Sequence, residues 1–165
     1  SLKLADSYSD LLVPDQTPTP HNLLVHRLTP QRLRNAVLPS HALADFLTFV
    51  DAAPLLAYHA PFDAAVLRRA VIKAEHRLIR PVWLDVAEWA LMLAPELGPR
   101  MPSLDDALAH FGIPGLDRHD ALADATATAW LALKLQVLTV NSGTRDIRSL
   151  RRRLRRHRTL RRWRG

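Results

Sequence analysis

Hydrophobic and polar positions along the chain switch between a helical and a strand-like period. From Asp120 to about Leu138 there is neither Gly nor Pro, and Ala, Leu and Lys dominate, which predicts the longest helix of the chain. Leu122, Thr126, Ala129 and Leu133 recur at helical spacing and mark its expected inner face. Ala121, Ala125 and Thr128 lie beside them, so that face is small enough to press closely on a sheet.

In chain order, Leu2–Val13 alternates loosely and reads as a strand. Residues 14–20 carry three prolines and read as a loop. Thr29-Pro30 has the form of an N-cap followed by a first helical residue, which predicts a short helix over Pro30–Ala36. Ser40 offers a second cap, for a helix to about Val50 with Leu43, Phe46, Leu47 and Val50 on its apolar face. Pro54–Tyr58 is short and apolar, as a buried strand is. Pro61 suits the opening turn of the next helix, with Phe62, Val66 and Ala70 as its inner stripe. Pro81–Asp85 is a further strand feeding a helix over Val86–Leu93. After a loop from Ala94 to Pro102, Ser103 caps Leu104–Phe111 and Gly112 closes it. Strands alternating with helices place the chain in the α/β class, with a mostly parallel sheet flanked by helices.

The 165 residues suit one domain, able to bury about two-thirds of its unfolded surface. No cysteine is present, which excludes disulfides, thiolate catalysis and sulfur-ligated zinc. No apolar run is long enough to span a membrane and no signal-peptide pattern opens the chain, so the expected location is cytoplasmic.

Charge changes the picture at one end. From Arg145 onward there are eleven arginines and one acid, Asp146, a net of +10; the remainder has 12 basic and 15 acidic residues, a net of −3. The chain therefore divides into a domain over residues 1–141 and a basic, Arg-rich C-terminal arm over 142–165. Ile147, Leu150 and Leu154 fall at helical spacing in that arm, with Leu160 and Trp163 beyond. Arg151, Arg152, Arg153, Arg155 and Arg156 are candidates for binding a nucleic-acid backbone, because guanidinium forks match phosphate oxygens and release counterions. An amphipathic membrane or partner helix and a disordered solubilising tail are the alternatives. The arm is expected to add little to the apolar core.

Two stretches carry candidate chemistry. In Arg118-His119-Asp120-Ala121-Leu122-Ala123-Asp124-Ala125, Asp120 and Asp124 are one helical turn apart and can share a cation. Alternatively, His119, freed from the helix, works with Asp124, or Asp120 is only a cap. In Leu55–Asp63 a strand ends and a helix begins, with Asp63 in its first turn. Ligand sites of open α/β sheets gather at this end of the strands, so Asp63 can face Asp124.

Together these residues resemble the DnaQ-like (DEDD) 3′–5′ exonucleases, of the His-bearing subclass, which have a ribonuclease H-like fold. The family's second motif, His-Asn-x-x-Phe-Asp, is read here in His59-Ala60-Pro61-Phe62-Asp63, with Ala60 for the Asn. Its third motif, His-x-Ala-x-x-Asp-Ala, is matched by His119, Ala121, Asp124 and Ala125. Val25-His26-Arg27-Leu28-Thr29 is similar to the family's Ile-His-Gly-Ile-Thr, and Ser103-Leu104 and Phe111-Gly112-Ile113-Pro114 fit its approach to the third motif. The resemblance covers about Leu2 to Leu138 and makes His119 and Asp124 the functional pair, with Asp120 an ordinary position.

The family's first motif, Asp-x-Glu on a central strand, is absent, so the sheet is expected to lack its first two strands. Either the chain is part of a longer protein, or it is a member without catalysis that serves as a nucleic-acid-binding or interaction module. In the complete family, two Mg²⁺ or Mn²⁺ ions about 4 Å apart grip the scissile phosphate. The resemblance implies that Asp124 and Asp63 are metal ligands, Asp63 mainly through bound water, and that His119 is the general base. His59 and Phe62, and more weakly His26, are implied near the terminal nucleotide, with a structural role as the alternative. The implied partners are the 3′ end of single-stranded nucleic acid and a DNA polymerase subunit.

Overall fold

The computed structural model describes residues 6–15, 19, 29–74, 81–114 and 121–163, with the side chain of Arg162 excepted. Its architecture is α/β. A small parallel sheet of β1 (Leu55–Ala57) and β2 (Trp83–Asp85) is surrounded by six helices: α1 (Pro39–Val50), α2 (Ala60–Lys73), α3 (Val86–Leu93), α4 (Leu104–His110), α5 (Ala121–Asn141) and α6 (Ile147–Arg162). The register pairs Leu55 with Trp83, Leu56 with Leu84 and Ala57 with Asp85. Among the described residues β1 pairs with no other strand, so its far edge is open.

The element order follows the hydrophobic pattern closely, and the departures are local. The strand expected over Leu2–Val13 is, in its described part, extended chain with one parallel bridge, Leu12 to Val37. Val13 N donates to Val37 O (2.9 Å) and Val37 N to Leu11 O (2.7 Å). A ladder needs a longer partner than Ala36–Leu38, the short extended link between the 3-10 turn and α1. The helix expected over Pro30–Ala36 is a single 3-10 turn, Arg32–Asn35, whose Arg32 amide donates to the Thr29 hydroxyl. Helix α1 starts two residues earlier than a Ser40 cap implies, because Pro39 takes the first-turn position and Leu38 the cap.

Two expected inner faces are also corrected. On α2, Phe62 is 71% and Val66 48% exposed, while Ala60 and Val71 are buried. On α5 the buried stripe is Ala127, Thr128, Leu131, Ala132, Leu135 and Thr139, and Leu122 is largely exposed. Both errors are a partial rotation about the helix axis, since several residues of similar hydropathy compete for the buried side.

Helix α3 is the centre of the molecule. Val86 through Leu91 are all buried, including the charged Glu88. Asp85 caps the helix, accepting from the Glu88 amide at 3.3 Å, and Trp89 Nε1 donates to Thr139 Oγ1 of α5 at 2.8 Å. The core joins Leu84, Val86, Trp89 and Ala90 to Leu104 and Leu108 of α4, Leu131 and Leu135 of α5, and Leu150 and Leu154 of α6. Helix α4 opens with a reciprocal capping box between Ser103 and Asp106, whose hydrogen bonds hold the Asp106 carboxyl below its ordinary range. It closes where Gly112 adopts the left-handed region (φ 67°).

The expectation that the C-terminal arm adds little to the core is overturned. Residues 147–162 form a helix capped by Asp146, whose carboxylate accepts from the Ser149 amide at 2.9 Å. That helix buries Leu150 and Leu154 and surrounds the Glu88 carboxylate with an imidazole and two guanidinium groups. His157 Nδ1 lies 2.8 Å from Oε1, and Arg161 Nη2 lies 3.1 Å from Oε2. Arg158 reaches both Asp85 Oδ2 (3.6 Å) and Glu88 Oε2 (3.9 Å). A buried carboxylate stripped of its cations costs about 3–5 kcal/mol, and truncating a buried leucine costs about 2–5 kcal/mol. Deleting residues 145–165 is therefore expected to abolish the cooperative thermal transition seen by circular dichroism, and Leu154→Ala to lower its midpoint clearly. An unchanged melt on deletion would show that α6 does not contribute to the core.

Candidate active-site cleft

The open edge of β1 and the small-residue side of α5 face each other across a cleft of about 960 Å³. Its lining is mostly apolar: Leu56, Ala57 and Tyr58 from the β1 end, Ala125, Thr128, Ala129 and Leu133 from α5, and Ile147 and Leu150 from the start of α6. Leu56, expected to be buried, is 44% exposed among the described residues and lines the cleft. Leu133 and Ala129, expected to press on a sheet, instead form the cleft wall.

Asp63 and Asp124 both line this cleft. Each lies in the first turn of its helix, α2 and α5 respectively, where exposed amides and the helix dipole favour negative charge. Both are half-buried. The Thr128 hydroxyl donates to the Asp124 carbonyl at 2.8 Å, one turn on. Tyr58 Oη lies within donating distance of the carbonyls of Pro102 (2.9 Å) and Ser103 (2.8 Å), tying the cleft wall to the start of α4.

Burial pushes the Asp63 carboxyl above its ordinary value, and the nearby negative charge of Asp85 adds to the rise. The backbone amide of Asp63 and the proximity of His59 oppose it without winning. Asp85, read in the sequence only as a strand end, is therefore part of the local field. The register explains why, because it stands opposite Ala57 at the same end of the sheet. It is itself committed to capping α3 and to Arg158.

His59 and Phe62 do not line the cleft; both are exposed beside Asp63. His59 adopts the left-handed region, φ 62° and ψ 49°, as the residue preceding α2, and its ring meets Tyr58 edge-on at 5.0 Å. This conformation corrects the motif reading. Counted back from Phe62-Asp63, the six positions of His-Asn-x-x-Phe-Asp begin at Tyr58, which puts His59 and not Ala60 in the Asn place. Asn and His are the side-chain-bearing residues that tolerate this region best. His26, His119 and Asp120 lie outside the described residues.

The donor set fits a hard cation in kind, since Asp63 and Asp124 offer carboxylate oxygens, the ligands that Mg²⁺ and Mn²⁺ take. A cation would also offset the desolvation that now disfavours the Asp63 anion. In number the set is small: the described residues contain no group of three or more His, Asp or Glu placed to hold a metal ion. No helix among the described residues is long and apolar enough to cross a membrane.

The fold thus brings two carboxylates at helix starts, Asp63 and Asp124, to one cleft beside the end of a parallel sheet. The family model described as exonuclease (RNase T) matches residues 3–132. The chain thus belongs to the DnaQ-like exonuclease family. It is also 31% identical over 134 residues to the "DNA polymerase III subunit epsilon-like protein" of Rhodobacter capsulatus, a match covering 81% of this chain and 19% of that protein. The chain spans about a fifth of the length of that relative.

The Asp63 environment has a pH signature. A carboxyl whose folded value is raised contributes stability that is complete below its unfolded value, 3.8, and is lost as pH rises through the folded value. Asp63→Asn is therefore expected to raise the melting temperature of the metal-free chain near pH 7. The difference should vanish below pH 3.8. A variant less stable than the parent at pH 7 would show that Asp63 is held by attraction and not strained by burial.

Proposed function

We propose that this chain is the cleft-bearing part of a metal-dependent 3′–5′ exonuclease that removes nucleotides from the 3′ end of single-stranded nucleic acid. The observation that carries this reading is the meeting of Asp63 and Asp124, from two separate motifs, in one cleft. Divalent ions, when bound, supply the Lewis acidity that activates water and steadies the leaving oxygen. Asp124 and Asp63 hold and orient that charge, Asp63 mainly through water. His119, two residues before α5, accepts the proton of the attacking water, a task suited to a group titrating near neutrality. We assign Phe62 and His59, exposed beside Asp63 but outside the cleft lining, to contact with the terminal nucleotide, and His26 is a weaker candidate for the same role.

Helix α6 carries Arg152, Arg153, Arg155 and Arg156 on the exposed surface and Arg151 half-buried. We assign them to backbone phosphates. A DNA polymerase subunit is the proposed protein partner, by the printed name of the Rhodobacter relative.

A second reading is favoured by the absence of Asp-x-Glu from the sequence and by the small ligand set. On that reading the chain binds nucleic acid without cutting it. The two readings separate on completion of the site. The 165 residues alone are expected to bind Mn²⁺ weakly by calorimetry and to leave a 3′-labelled oligonucleotide nearly intact. Joining a strand bearing Asp-x-Glu to the chain should raise both metal affinity and 3′-end hydrolysis. Full hydrolysis by the 165 residues, dependent on Asp63 and Asp124, would refute the account of the missing motif. No hydrolysis by the completed protein would favour the binding module.

In the completed enzyme, His119→Ala should lower turnover by about two to four orders of magnitude while metal affinity is nearly kept, and Asp120→Asn should do little. Equal losses in single-turnover assays would mean that the general base has been assigned to the wrong residue.

A further inference from the structure

Helix α6 sorts its arginines by face. Arg158 and Arg161 turn toward Asp85 and Glu88, on the side that buries Leu150 and Leu154. At about 100° per residue, Arg148, Arg152, Arg155 and Arg156 fall on the opposite side, and all four are exposed. Trp163 keeps helical dihedrals, φ −86° and ψ −12°, so it continues the same wheel and lands on that outward side. It is 85% exposed. Arg153, at the flank, instead reaches back to the Ser142 hydroxyl at 3.1 Å.

Within the described residues no carboxylate lies at ion-pair distance from these four arginines, in contrast to the inward pair. Arg152 donates to the Ser149 hydroxyl at 3.1 Å. Arginines one turn apart, Arg148 with Arg152 and Arg152 with Arg156, repel one another and weaken the helix. A polyanion along this face removes that repulsion and releases its own counterions. From Arg148 to Trp163 the face is ~22 Å long, room for several nucleotides.

An anionic membrane is a poorer fit. An interfacial helix binds by sinking its apolar stripe, and here that stripe, Leu150 and Leu154, is already spent on α3. What remains outside is a row of guanidinium forks ended by the indole of Trp163, with Ile147 and Leu160 only partly exposed and too few to form a second apolar stripe. An unpaired base uses both, since forks match phosphate oxygens and every base offers a π-face to stack on. In a duplex the bases are stacked on one another and closed to Trp163.

We propose that the outward face of α6, made of Arg148, Arg152, Arg155, Arg156 and Trp163, is a tracking surface for single-stranded nucleic acid, with Trp163 stacked on a base. This rests on the reading of the arm as phosphate-binding and adds the stacking residue, the selected strand state and Arg148.

The test is fluorescence anisotropy with the full chain, a labelled oligothymidylate, the matching duplex, and phosphatidylserine vesicles, each over a range of salt. Trp163→Ala should weaken single-strand binding about ten-fold at every salt concentration, with an unchanged salt slope and unchanged duplex binding, while Trp163→Phe keeps most of the affinity. The triple change Arg152→Gln, Arg155→Gln, Arg156→Gln should flatten the slope of log K against log salt by about two. A flattened slope with Trp163→Ala silent would overturn the stacking surface and leave the phosphate-binding arm standing. An unaltered slope would overturn both, and so would binding to vesicles but not to oligonucleotide. Because these side chains are exposed, the tryptophan variants should melt with the parent and the triple variant at or slightly above it, since it relieves the arginine repulsion; single-strand binding lost only in variants that melt early would also overturn the assignment.

Discussion

A single buried carboxylate fixes where the C-terminal helix docks on the core. Glu88 sits in the middle of α3, 1% exposed, and is acceptable there only because His157, Arg158 and Arg161 arrive from α6 to meet it. The arrangement works in both directions. Without α6 the helix that anchors the core would carry a desolvated charge. Without Glu88 and Asp85, α6 would set a dense row of arginines against an apolar groove. Buried ion pairs add little net stability over apolar contacts but are costly to half-break. The clamp therefore specifies where α6 docks more than it strengthens the fold, and Leu150 and Leu154 supply the apolar part of the adhesion.

That docking has a consequence for the cleft. Asp146, Ile147 and Leu150 of the α6 start share the lining with Asp63 and Asp124, so the helix that neutralises Glu88 also closes one end of the site. The cleft itself follows from a different constraint, the open edge of β1. A three-residue strand with one paired edge leaves backbone groups and the side chain of Leu56 facing across to α5. The small residues of α5 keep the gap wide instead of filling it.

Much of this was legible from the chain. Period and caps place α3, α4 and α5 within a few residues, because Ser103 and Gly112 act locally and the Ala-rich run has no competing conformation. The first-turn positions of Asp63 and Asp124 follow from Pro61 and from the helix start at Ala121, and their convergence follows from where parallel strands end. Other features were not legible, for identifiable reasons. Hydrophobic spacing on α2 and α5 does not separate a face turned to the core from one turned to a cleft, since Val66 and Leu133 score alike in either place. The arm was read as an appendage because arginines dominate its composition. Only the three-dimensional position of Glu88, an ordinary acid in an apolar run, shows that two of them, Arg158 and Arg161, are structural partners. Asp85 was missed for the same reason: its second role is long-range.

The charge distribution then acquires a physical meaning beyond a net +7. On the inward side of α6, positive charge is consumed by Asp85 and Glu88. On the outward side it is left over, and the helix bears the repulsion among Arg148, Arg152 and Arg156 as a standing cost. At the cleft the imbalance has the opposite sign. Burial outweighs the helix-start amide at Asp63, and Asp85 reinforces the rise although Arg158 lies beside it. The cleft thus collects acids, Asp63, Asp124 and Asp146 against Arg145, and the outward side of α6 collects arginines. The ligands that relieve them are complementary to each other, a hard cation for the carboxylates and a phosphate chain for the arginines. On the proposed function, a nucleic-acid strand carrying its divalent counterions brings both to the same molecule.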